Sequence, residues 1–321
     1  MSQSDAQWWE LAQKGIVQEV KRDKAAIKDI EMLLMTMIKE IEKEIMSFYA
    51  KYANHEGLNI KEAKKKVDNF DVEAFKNKAK QYVETKDFSD KANKELKKYN
   101  TKMYVSREEL LKGQLNGLID YFTAETENKL SDYMHDAVER EIKRQAGILG
   151  DNVEITPQKV TSIVNADFGN TTWSKRLWSN MDELRDDVQR IASHVVLRGR
   201  HPNEFVSELR KKHDVATSDA KRLLITEAAR VQTLAQKEYY TATLGEGARY
   251  QFVAKVDEKT SKTCLSHNGN IYKVKDMTPG LNAPPLHPHC RSSTIPFAPT
   301  RRKDFINSRK GRYTGAKVTI K

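Results

Sequence analysis

Both cysteines of this 321-residue chain fall in one histidine-rich window near the C-terminus. Two residues separate Cys264 from His267, and two separate His287 from Cys290. Thiolates and imidazoles in such pairs can close on one ion, and zinc held by two sulfurs and two nitrogens is the natural occupant. Gly269 and Pro288 suit tight turns beside each pair. A structural ion would replace core that a small β unit is too small to have. The competing reading is a buried thiol pair beside loop histidines. A catalytic reading would draw Cys264 and His287 as a thiol–imidazole pair, or give the ion an open position for hydrolysis. The other parts of such a site are missing from the sequence: a Gly-rich phosphate loop, a His-Glu-x-x-His run, an oxyanion motif. Asp257 reads as a turn-capping carboxylate, and Arg291 is expected to pair with Asp257 or with a chain carbonyl and not with a substrate. The expectation is a binding protein and not an enzyme.

Taken in order, Asp257, Thr260, Ser261, Cys264, Gly269, Pro284, Pro285, His287, Pro288, Cys290 and Arg291 form a specific pattern. It resembles the signature of the phage Mu F-like head morphogenesis family, the phage minor head proteins. Upstream, Ile225-Thr226-Glu227-Ala-Ala-Arg230 is similar, more loosely, to an Arg-Thr-Glu with a following Arg that family members tend to carry. Ile225 stands at the first position, and Arg222 lies one turn earlier. The resemblance implies a minor component of the procapsid, bound at the portal and contacting packaged DNA. Its implied partners are portal protein, major capsid and scaffolding proteins, and double-stranded DNA without sequence preference. Its implied location is the interior of the phage head, after assembly in the host cytoplasm. Relatives often carry Cys-x2-Cys at the first pair, where this chain has Ser261 and Cys264, so His267 or His289 has to supply the fourth ligand. The expected zinc set is Cys264, His267, His287 and Cys290, with Asp257, Thr260, Ser261, Gly269, Pro284, Pro285 and Arg291 as its structural frame. The runner-up is a zinc-dependent hydrolase or nuclease built on the same cluster.

The elements that must position this window are mostly helical. Ile27, Ile30, Leu34, Met37, Ile41 and Phe48 alternate spacings of three and four, which predicts an amphipathic helix from about 5 to 53. Residues 60–102 hold thirteen Lys against eight acids and read as a solvated helical face. Ser106-Arg-Glu-Glu109 reads as a capping box opening a long helix, with Leu110, Leu111, Leu115, Leu118, Tyr121, Phe122, Tyr133, Met134, Val138 and Ile142 on its buried stripe. Gly147 and Gly150 are expected to stop it. Thr156-Pro157 starts another helix. Trp173, Leu177, Trp178, Met181, Leu184, Val188 and Ile191 mark a third. A short helix over 204–211 and a cap at Thr217 or Ser218 precede a helix to about Tyr240. The period then changes to alternation over 249–256, 270–274 and 292–297, predicting three strands. The fold class expected is α+β, mostly α, with a small C-terminal β unit carrying the Cys/His cluster. The expected divisions are a helical region over 1–155, a head-morphogenesis domain over 156–300 (helices to 245, then the β motif), and a basic tail over 301–321.

Charged residues at 31% against 38% hydrophobic favour elongated helices over one large core. The net charge is +11, of which the tail carries +7. Arg301, Arg302, Lys303, Arg309, Lys310 and Arg312, with Lys317 and Lys321, are the candidate DNA contacts, and the alternative for the tail is a solvated end. Two cysteines make no disulfide framework and suit a reducing compartment. The sequence shows no signal peptide, and its richest apolar run, Met32–Ile38, is too short to span a membrane.

Overall fold

The computed structural model describes residues 3–52, 90–150, 153–245 and 247–297. Among these, the long helices are α1 (Gln3–Tyr52), α2 (Asp90–Leu149), α4 (Trp173–Arg198) and α5 (Val206–Leu244). Two short helices, α3 (Pro157–Val164) and α6 (Lys262–His267), two 3-10 turns (Pro202–Phe205 and Val274–Asp276) and three strands make up the rest of the described elements. The protein is thus mostly α with a small antiparallel sheet at its C-terminal end. No helix among the described residues is long and apolar enough to cross a membrane. The tail candidates from Arg301 to Lys321, and most of the Lys-rich stretch, lie outside the described residues.

The chain forms two compact units. One comprises residues 32–124 and 179–216, the other residues 1–31, 125–178 and 217–321. In the first, α1 buries Leu34, Met37, Ile41, Ile45 and Phe48, a stripe at spacings of three and four. Ile45 fills the position where Glu44 interrupts the pattern. From α2 come Leu111, Leu115, Ile119 and Phe122, and from α4 Met181, Leu184, Val188 and Ile191. Polar ties fix the register of α4 on α2: Ser193 donates to Glu108 at 2.5 Å, Gln189 to Asn116 at 3.1 Å and Arg185 to Asp120 at 2.8 Å.

Three expectations about helix ends and faces need correction here. Ser106 to Glu109 open no helix, because α2 already runs from Asp90. In place of a capping box, the neighbouring Glu108 is buried against Lys112 and Ser193. Leu110 and Tyr121 are exposed at 53% and 59%, since each sits one residue off the buried 111–115–119–122 row. Thr217 and Ser218 cap nothing either. Pro202–Phe205 forms a 3-10 turn that continues directly into α5, and Thr217 is buried within that helix.

In the other unit, the first part of α1 packs Trp8, Ala12 and Ile16. Met134, Val138 and Ile142 of α2, and Leu224, Val231, Ala235, Tyr239 and Tyr240 of α5, supply the rest of the helical core. A buried polar network links these helices to the sheet. Glu141 accepts from Gln145 (2.7 Å), Gln236 (2.8 Å) and Arg144 (2.6 and 2.9 Å). Gln236 also donates to Ser293, at 3.0 Å. Closer to the N-terminus, Glu19 accepts from Arg140 and Gln232, Asp23 accepts from Tyr133, and Gln13 donates to the Ala254 carbonyl at 2.9 Å.

Helix α2 ends at Gly150, which takes φ 79 after Leu149, while Gly147, also expected to stop it, lies inside the helix. Thr156 caps α3, accepting from the Lys159 amide at 3.2 Å, with Pro157 in the first turn. The three strands are β1 (Arg249–Val253), β2 (Ile271–Lys273) and β3 (Ser293–Phe297), in the order β2-β1-β3 and antiparallel throughout. The expected ranges are right to within a few residues. Pro296 is accommodated because β3 pairs on one side only, within the described residues. The central strand β1 buries Tyr250, Phe252 and Val253, and its end delivers the chain to the Cys/His window.

Candidate metal centre

Three short pieces of chain build the site. A turn follows β1, in which Asp257 Oδ1 accepts from the Lys259 amide (2.9 Å) and Thr260 Oγ1 from the Asp257 amide (2.7 Å). This is the side-chain turn chemistry expected of Asp and Thr. Ser261 then N-caps α6, accepting from the Cys264 amide at 3.1 Å. The cap fixes Cys264 in the first turn, where it is buried with Phe252, Ala254 and Cys290. Gly269, at φ 84, returns the chain beside β1 and donates to the Phe252 carbonyl at 2.9 Å.

The third piece is the Pro-rich loop. Its Pro284–Pro285 peptide is cis. The Cys290 amide turns back onto the His287 carbonyl at 3.2 Å. His289 takes φ 60, and its amide donates to Thr226 Oγ1 of α5 at 3.2 Å. Arg291 makes a two-pronged ion pair with Asp257, at 2.9 Å to each carboxylate oxygen, and so ties the loop to the turn after β1. Hydrogen bonds from Arg291 and the Lys259 amide hold the Asp257 carboxyl well below the usual carboxylate range. Asp257 is therefore a committed structural anion, as its sequence context indicates.

Cys264 Sγ lies 3.1 Å from His287 Nε2 and 3.6 Å from Cys290 Sγ. The three ligand atoms are all within 4.8 Å of one another. His287 Nδ1 is 2.7 Å from the Pro288 carbonyl. A carbonyl can only accept, so Nδ1 carries the proton and the Nε2 lone pair faces the sulfurs. Neither cysteine is in a disulfide, and both are buried. A hydrogen bond from Cys290 holds the Cys264 thiol below the ordinary range, with further help from Ser261, Ser292 and His287. The same contact and burial push the Cys290 thiol up.

Two thiols and an imidazole nitrogen, preorganised within one coordination sphere, fit a zinc-like ion. Such an ion would bind both cysteines as thiolates, releasing their protons. The expected fourth member, His267, is not brought into this group. Helix α6 is only six residues long, and its last side chain turns to β2. There His267 Nδ1 meets the Tyr272 hydroxyl at 2.8 Å and its ring lies 5.7 Å from that of Phe252. His289 is likewise outside the group, although it lines a small cavity beside it.

Sequence reasoning marked the residues behind the loop but missed what they do. Thr226, Glu227 and Arg230 share one segment of α5, and each has a separate task. Thr226 holds the His289 amide. Arg230, 1% exposed, donates to Glu227 at 2.5 Å and to the Ile163 and Val164 carbonyls at 2.8 and 2.6 Å. Those are C-terminal carbonyls of α3, left without helical donors. Arg176 Nη2 sits 3.0 Å from the other Glu227 oxygen, an ion contact without hydrogen-bond alignment. The signal for these roles lay in the polar Thr-Glu-x-x-Arg spacing inside an otherwise apolar helix.

The family model described as Phage Mu protein F like protein matches residues 186–295. No curated protein matches the chain, and no solved structure does. The matched segment contains all of α5, the three clustered ligands, the Asp257–Arg291 clamp and the Thr226–His289 tie. The match covers residues 186–295, 110 of the chain's 321, and agrees with the resemblance carried by the order of residues from Asp257 to Arg291.

Proposed function

We propose that this chain is a bacteriophage minor head protein that acts in head assembly, bound at the portal and in contact with packaged DNA. The observation that carries the reading is the family match over residues 186–295, with the Cys/His loop, its clamp and its helix contact all intact inside it. The Cys264–His287–Cys290 centre serves the fold in this reading. A zinc ion there joins α6 to the Pro-rich loop, where the β unit has little core of its own. The work is binding and not catalysis, and two features support that. Both thiols are buried, and the Asp257 carboxylate is tied up by Arg291 and a backbone amide. The basic tail, with Arg301, Arg302, Lys303, Arg309, Lys310 and Arg312, supplies DNA affinity through phosphate contacts. The location is the head interior, reached from the host cytoplasm during assembly.

Co-expression with portal, major capsid and scaffolding proteins tests this directly. The chain should enter the particles and co-purify with portal. Particles that form without it, together with no portal association, would overturn the reading. Chelator-sensitive cleavage of DNA, RNA or peptide, lost in Cys264→Ser, would replace it with a metal-dependent hydrolase.

A further inference from the structure

Among the described residues three metal ligands come together, and His267, Ser261 and Asp257 nearby are otherwise engaged. His267 is held by Tyr272 at 2.8 Å. The Ser261 hydroxyl accepts the Cys264 amide as the cap of α6. Asp257 is clamped by Arg291. Beside the three ligands is a cavity of about 20 Å³, lined by Ser261, Lys255, Lys259 and Arg291 and by His289, whose ring nitrogens are not among the clustered ligand atoms. About 10–15 Å³ on this measure suffices for one water, and polar walls are what such a water needs. Three cations and one nearby carboxylate, Asp257, leave the cavity net positive. Three protein ligands leave a tetrahedral ion one further position for an exchangeable ligand, while the same three ligands still join α6 to the Pro-rich loop.

We infer that the fourth position of this centre is exchangeable and takes solvent or a small monodentate anion drawn in by Lys255, Lys259 and Arg291. The inference rests on the metal reading of the centre but goes beyond it. A closed site would hold its ion with the chain alone; this one presents a ligand position that an anionic group can enter and leave.

The test uses the full chain loaded with cobalt(II), whose visible bands report ligand number and type. Azide should shift the bands of the wild-type protein and saturate. His267→Ala and His289→Ala should each leave the starting spectrum unchanged. Ser261→Cys should add sulfur-to-cobalt intensity and abolish the azide response, because a third thiolate then occupies the position. A wild-type spectrum that azide does not move overturns the inference, whether or not a histidine variant identifies the missing ligand. Failure of the wild-type chain to bind cobalt or zinc at all removes the metal reading itself, and with it this one. The azide titration needs no variant, so the outcome stands even if Ser261→Cys fails to fold.

Discussion

Arg230 gives the sharpest test of how the helical frame behind the loop is held. Replacing it by Met keeps the aliphatic length and removes every donor. Glu227, 1% exposed, would then keep only its misaligned contact with Arg176, and the Ile163 and Val164 carbonyls at the end of α3 would be left without Arg230. Breaking one side of a buried ion pair costs about 3–5 kcal/mol, mostly from the charge left behind. For a cooperative unit of roughly 150–250 residues, each kcal/mol moves the melting midpoint by about 2–4 °C. Arg230→Met should therefore melt roughly 6–20 °C below wild type by circular dichroism. Adding Glu227→Gln should recover part of the loss, since the uncompensated carboxylate goes too. Arg230→Lys should not restore the wild-type midpoint, because a compact ammonium cannot reach one carboxylate and two carbonyls with a fixed fork. A midpoint for Arg230→Met within about 1 °C of wild type would refute the cost assigned to this pair.

Metal removal should act through the same region: elemental analysis should find near-equimolar zinc, and chelation should lower the melting midpoint. Cys290→Ser should melt like the chelated wild type and no longer respond to chelator. Thr226→Val, which removes the acceptor for the His289 amide, should weaken metal affinity by roughly 10-fold, as loss of a supporting contact does, and an unchanged affinity would count against that tie. Thr156→Ala should cost about 1 kcal/mol by urea unfolding, from the lost cap of α3. Asp23 supplies a pH dependence. Burial raises its carboxyl to about 6, helped by Glu19 and opposed by the Tyr133 hydrogen bond and Arg140. A raised folded value means the native state holds the proton more tightly than the unfolded chain. The contribution is full below about pH 4, falls as pH rises through about 6, and totals at most about 3 kcal/mol. Asp23→Asn should flatten stability across that window and be the more stable protein at pH 8; the same slope in the variant would exclude Asp23 as its source.

What could be read from the sequence divides along a physical line. The change from a three-and-four period to alternation at Arg249 marks the sheet, because strands and helices bury faces with different periods. Thr156-Pro157 and Gly150 mark helix ends, because their effect is confined to the turn they sit in. Ser106–Glu109 and Thr217 have the same local chemistry and mark nothing. Nothing within their own few residues says that Glu108 will instead be buried against Ser193, 85 positions away. The cluster shows the same division. Spacing brings Cys264, His287 and Cys290 into one window, but His267 has the same spacing as His287. What excludes it is Tyr272, delivered by strand β2, and no ligand spacing encodes that hydroxyl. Thr226 and Arg230 were visible as polar residues on a helix, while their partners His289 and the α3 carbonyls are set only by packing.

The bond from Gln13 to the Ala254 carbonyl spans 241 residues of sequence. Translation at about 5–20 residues per second separates the synthesis of those two groups by roughly 12–48 s. Throughout that interval Trp8, Ala12 and Ile16 of α1 have left the ribosome before α5 and the sheet exist to cover them. The unit that holds the metal loop therefore closes late, around a segment made first. A nascent chain in this state offers an apolar stripe to chaperones and to other nascent copies, and overproduction at a lower temperature, where initiation is slower and copies are fewer, is the condition that favours its correct closure.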